Sequence, residues 1–136
     1  MLSNTNALEV AMVDLDRGTS GRLGQHVGSV VGLAGETVDG LRAVEAFKTT
    51  QGWGLFRRPG VLVRGETVEV GRRMMGVERE RETMRVVVDG AKGCGKSMLL
   101  LQAMALGFVR GWVVLHIPEG LFVHFLTLIG GFADEI

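Results

Sequence analysis

The chain has 136 residues, 46% of them apolar and 22% charged, a balance that excludes disorder and allows one compact domain or a piece of a larger one. Fifteen basic side chains offset fifteen acidic ones, so no global charge marks a nucleic-acid or membrane partner. The lone cysteine, Cys94, excludes an internal disulfide framework and suits a reducing compartment.

In the first twenty residues Glu9, Asp14 and Asp16 precede the single basic residue, Arg17. That is neither the Arg-rich, acid-poor pattern of a transit peptide nor a charged start followed by an apolar secretory core. Residues 1–37 are rich in Gly, Ser, Thr and Asn and read as a loosely ordered N-terminal segment. Residues 38–83 form a second unit. Leu41, Val44 and Phe47, with Ala43 and Ala46 beside them, predict a helix over 38–49, stopped by Gly52 and Gly54 around Trp53. Arg57 to Gly60 predicts a turn, and Val61, Val63, Thr67 and Val68 predict one or two short strands broken at Gly65. Residues 57–85 hold eight arginines and five glutamates; the stretch 72–82 reads as a solvated helix or linker.

Residues 84–119 are the most informative unit. Met84 to Val88 is a β-branched apolar run that predicts a buried strand. A glycine-rich turn spans Asp89 to Gly95, and Met98, Leu99, Leu100, Leu101, Met104 and Leu106 predict a helix over 96–109. Trp112 to Ile117 predicts a second buried strand, closed by Pro118. Strand, turn, helix and strand imply a parallel βαβ unit with a right-handed crossover. Residues 120–136 are an apolar tail in which Gly120 to Ala133 run for 14 residues without a charge, short of the roughly 20 that cross a bilayer.

Gly90-Ala91-Lys92-Gly93-Cys94-Gly95-Lys96-Ser97 fits the P-loop (Walker A) pattern G-x-x-x-x-G-K-[ST] at every position. Glycines let the backbone curl so that successive N–H groups cradle phosphate oxygens, and the helix beginning at Lys96 adds the positive end of its dipole. In that chemistry Lys96 reaches the β- and γ-phosphates, and the Ser97 hydroxyl ligates Mg²⁺. Cys94 occupies a position where only the backbone is used. It is either a tolerated small residue or a thiol made oxidisable by Lys92, Lys96 and the helix end. His116 reads as a packed strand residue, and His26 and His124 have no neighbours at metal-ligand spacing. Hydrolysis needs a later strand ending in Asp and a residue that orients water. No such strand follows Ile117, so the pattern argues for nucleotide binding without catalysis.

Three stretches together resemble one family: Asn4 to Leu8; Leu41 to Lys48 running into Gly52 to Pro59; and Gly93 to Ser97 continuing through Gly111-Trp112-Val113-Val114 to Ile117-Pro118-Glu119. They look like the fungal members of the death-associated protein 3 family, P-loop proteins of the mitochondrial small ribosomal subunit. The resemblance implies an α/β, AAA-like P-loop domain, preceded here by an irregular and helical segment. It implies a structural role in translation within the matrix ribosome and contacts with small-subunit rRNA and neighbouring ribosomal proteins, with no membrane or DNA partner. On the family's pattern Gly90, Ala91, Lys92, Gly93, Cys94, Gly95, Lys96 and Ser97 hold GTP or GDP, with Mg²⁺ at Ser97. Nothing in the turn itself separates guanine from adenine, so ATP stays open. The missing transit peptide and the run Gly120 to Phe125 depart from the family and read as a shortened chain. An active NTPase fragment and a truncated, nonfunctional product are the alternative readings.

Overall fold

Three short strands build the larger sheet. β1 is Val13–Leu15, β2 is Val30–Leu33 and β3 is Gly60–Leu62. The computed structural model describes residues 12–48, 53 and 59–117, and the backbone of 125–129. The strand order is β1-β2-β3. β1 lies parallel to β2, with Val13 opposite Val31 and Leu15 opposite Leu33. β3 runs antiparallel to β2, with Val31 opposite Val61 and Val30 opposite Leu62. Leu15, Val31, Leu33 and Val61 are buried, whereas Val30 and Leu62 lie exposed on the other face.

Residues 12–37 are therefore more ordered than their composition predicts. Between β1 and β2 stand a single helical turn, α1 (Arg17–Ser20), and a 3₁₀ turn over Leu23–His26. Asp16 caps α1: its Oδ1 accepts the Thr19 N–H at 2.6 Å. The approach to β2 is tied to the end of β3 by two backbone bonds, Gly28 N–H to Val63 O and Val63 N–H to Ser29 O, each 2.9 Å. Elements of three and four residues are too short to show a period, so tertiary pairing decides them.

The next helix, α2, spans Gly35–Ala43, starting earlier and ending sooner than the apolar stripe predicts. Its end is local. Glu45 takes a left-handed conformation (φ 54°), and the N–H groups of Glu45 and Ala46 return to the carbonyls of Arg42 and Leu41. This is a Schellman closure with glutamate where glycine is usual.

α3 (Gly65–Glu80) absorbs Thr67 and Val68, which the sequence predicts as strand. Thr67, Gly71 and Met74 are its buried residues, spaced four and three apart on one helical face. Gly71 lets this face pack closely: a Cβ there would lie 2.9 Å from Leu23 Cδ1 and 3.5 Å from Leu106 Cδ1, so Leu23 would have to shift. The helix closes at Arg81, also left-handed at φ 53°.

The predicted strand over 84–88 does not form. Residues 82–90 carry no regular structure, and Val87 is 90% exposed. A β-branched run becomes a strand only beside a partner ladder, and none of the described strands pairs with it.

α4 (Lys96–Val109) forms as predicted, followed by β4 (Val113–Ile117). Among the described strands, however, the predicted parallel βαβ pairing does not form. β4 pairs antiparallel with β5 (Phe125–Ile129), which falls in the apolar tail where the sequence shows no strand, with Val114 opposite Leu128. The protein is thus mixed α/β with a three-stranded mixed sheet and a separate two-stranded antiparallel one.

One cluster joins these elements. It contains Leu15, Leu23, Val31, Leu33, Leu41, Val61, Met74, Leu101, Met104, Leu106 and Trp112. α4 supplies its centre, packing on α1, α2, α3 and β4. Among the described residues no helix is long and apolar enough to cross a membrane.

Two predictions follow from this packing. Leu101 is 1% exposed, so Leu101→Ala should lower the free energy of unfolding in urea by about 3 kcal/mol through lost transfer energy and the residual cavity. The Thr19 N–H bond holds the Asp16 carboxyl below its ordinary value, so its contribution is full at neutral pH and is lost as pH falls through that lowered value. Asp16→Asn, which still caps, should leave stability near pH 7 almost unchanged and flatten its decline in acid, as read by thermal melts across pH 2 to 7.

Candidate phosphate site

The turn at Gly90 to Gly95 is built from backbone conformations that side chains disfavour. Gly90, Gly93 and Gly95 have φ of 147°, 83° and 92°, the positive-φ half of the map where glycine alone is unstrained. A Cβ on Gly90 would sit 2.9 Å from Cys94 Sγ, whereas nothing lies within 4 Å of the corresponding position on Gly93. Gly95 is the N-cap of α4, and its carbonyl accepts the Leu99 N–H at 2.9 Å.

Lys96 turns back over this loop. Its Nζ donates to Gly90 O at 2.5 Å and to Ala91 O at 2.8 Å, and stands 3.8 Å from Cys94 Sγ. Both close partners are neutral carbonyls. Among the described residues no carboxylate lies within ion-pair distance of Lys96. The structure therefore gathers Gly90, Ala91, Cys94 and Lys96 about one ammonium group. Lys92 and Gly93 are exposed at the tip of the turn, and Ser97 is half-buried in the first turn of α4. His116 is half-buried in β4, with Nδ1 2.8 Å from Val44 O; His124 lies outside the described residues. No three His, Cys, Asp or Glu side chains among the described residues gather as a metal site.

Three residues behind the turn escaped the motif. The Arg64 guanidinium donates to Cys94 O at 3.0 Å (Nη1) and to Gly95 O at 3.4 Å (Nη2). Arg64 N–H in turn donates to Thr67 Oγ1 at 3.1 Å. The Thr67 hydroxyl donates to Gln102 Oε1, and Gln102 Nε2 donates to Leu62 O at 2.8 Å. Gln102 is the one polar residue in the buried run of α4 and is 3% exposed. A polar side chain at that depth stands out against its apolar neighbours in the sequence; nothing local links Arg64 to a turn thirty residues away.

The chain is thus an α/β protein in which a glycine turn delivers a lysine to the first position of a buried helix. Residues 61–123, which contain the turn, match the family described as mitochondrial ribosomal death-associated protein 3. Over 119 residues, 88% of the chain, the sequence is 49% identical to the small ribosomal subunit protein mS29 of Neurospora crassa. The chain spans about a quarter of that relative's length.

The buried polar link generates a prediction. Gln102→Leu keeps the volume but strands the Thr67 hydroxyl and the Leu62 carbonyl, and should cost about 1–3 kcal/mol in denaturant unfolding. Adding Thr67→Val should cost less than the sum of the two single changes, because the stranded hydroxyl is then gone.

Proposed function

We propose that this chain is part of a structural protein of the mitochondrial small ribosomal subunit, and that its glycine turn holds the phosphates of a guanine nucleotide. The ribosomal part of the reading is supported by the family match over residues 61–123 and by the 49% identity to mS29. It carries with it a place in the mitochondrial ribosome, beside small-subunit rRNA and other ribosomal proteins.

The nucleotide part is carried by one observation. Lys96 Nζ is held by two neutral carbonyls inside a turn of left-handed glycines, at the start of a 14-residue helix. A cation without a carboxylate among the described residues, at the positive end of a helix dipole, is completed by an anion. The residues present fit a polyphosphate. Open space beside Gly93 lets the backbone approach closely, the N–H groups of α4's first turn are unpaired within the helix, and Lys96 supplies the charge. Ser97 supplies a hydroxyl for Mg²⁺, which would neutralise phosphate charge when bound. The choice of guanine rests on the likeness to the family. In this reading the nucleotide serves as a structural ligand that stabilises the folded chain by mass action.

Calorimetry with Mg²⁺ and GDP, GTP or ATP tests this. Lys96→Ala should weaken binding by about 2–3 kcal/mol, the range for a hydrogen bond to a charged group. Equal affinity of Lys96→Ala and the wild type would remove the phosphate assignment. A preference for ATP would remove the guanine one.

A further inference from the structure

The Arg64 guanidinium has no acidic partner among the described ion pairs. Instead it spends its donors on two consecutive backbone carbonyls, Cys94 O at 3.0 Å and Gly95 O at 3.4 Å. These carbonyls belong to the peptide units that carry the N–H groups of Gly95 and Lys96. Every peptide bond described is trans. In a trans peptide the N–H and C=O point in opposite directions, so the cation on the carbonyl side turns both N–H groups away from Arg64.

The packing of Gly95 gives a second, independent observation. A Cβ there would meet Arg64 Nη1 at 2.9 Å and Nη2 at 3.1 Å. The guanidinium thus lies flat against the glycine whose φ of 92° sets the junction between turn and helix. Arg64 is itself fixed at the start of α3 by its N–H bond to Thr67, which Gln102 of α4 holds in turn. Arg64 therefore meets the turn from a corner clamped to the same helix that the turn begins.

We propose that Arg64 is a positioning residue of the phosphate turn: its guanidinium braces the Cys94 and Gly95 carbonyls so that the N–H groups of Gly95 and Lys96 are pre-set for phosphate oxygens. This rests on the phosphate-binding reading of the turn. The brace acts in two ways. It holds a left-handed glycine that would otherwise sample many conformations, and it polarises both peptide units, strengthening each N–H as a donor. Arginine suits the task because its planar fork reaches two acceptors at once, whereas a lysine is a single point charge.

The test is titration of the full chain with Mg²⁺-GDP and, separately, with Mg²⁺-pyrophosphate, alongside ligand-free thermal melts. Arg64→Ala should bind both probes about tenfold more weakly, the scale of one ordinary hydrogen bond. Its ligand-free melting temperature should stay within about 3 °C of wild type. Arg64→Lys should recover part of the loss, ending about threefold weaker than wild type. An equal loss for GDP and pyrophosphate places the effect on the phosphates rather than the base.

Wild-type affinity in folded Arg64→Ala overturns the proposal while leaving the phosphate site intact. A loss of affinity matched by a large fall in ligand-free melting temperature also overturns it, since Arg64 is then structural. If Arg64→Ala does not fold, Arg64→Lys decides: a threefold loss supports the brace and wild-type affinity refutes it. Failure of the wild type itself to bind either probe removes the phosphate reading, and this inference with it.

Discussion

Helix α4 has no solvent face from Leu101 to Gly107, where seven consecutive residues are buried. A helix wrapped on all sides cannot slide or rotate without breaking contacts with several neighbours at once. α1, α2, α3 and β4 all lean on it, and the core cluster runs through it from the three-stranded sheet to Trp112. The glycine turn is the N-terminal end of this fixed rod. Its Lys96 and Ser97 are therefore set by the core rather than by the loop that precedes them.

Polar groups refine what burial begins. Gln102 reaches from α4 to Leu62 at the end of β3, and accepts from Thr67 in the first turn of α3. Arg64, between those two partners, reaches back to the start of α4. Two strand and helix ends are thus tied to one helix at two heights. At the far end, Arg110 pairs with Glu78 of α3 at 2.5 Å and donates to Ser20 Oγ at 3.3 Å. Both groups of that ion pair are largely shielded from solvent, with side chains 18% and 25% exposed, so geometry there is held more firmly than by a surface pair. α3 and α4 are consequently latched near both ends.

What the sequence displayed followed the range of the forces involved. α4 was legible because fourteen residues of helix formers specify it locally, and the turn was legible because left-handed backbone demands glycine at Gly90, Gly93 and Gly95. The strand expected over 84–88 failed for the opposite reason. Valines favour strands only where a neighbour supplies a ladder, and Val87 points to solvent. The elements of residues 12–37 were invisible because β1 and α1 are three and four residues long and are held by partners elsewhere in the chain. Glu45 and Arg81 hid two helix ends, since each adopts the conformation usually announced by glycine. At the candidate site the motif was visible and its support was not: Arg64 is separated from Cys94 by 30 positions, and Gln102 from Leu62 by 40.

The position of α4 along the chain bears on how the protein is made. Synthesis proceeds from the N-terminus, and the apolar residues Leu15, Val31, Leu33, Leu41, Val61 and Met74 all emerge before the helix that completes their cluster. Until Leu101, Met104 and Leu106 leave the ribosome, the three short strands have one face without its final cover. A two- or three-stranded sheet of that size does not persist alone in water. The nascent chain therefore waits, adhesive and open to chaperones, for α4 to close it.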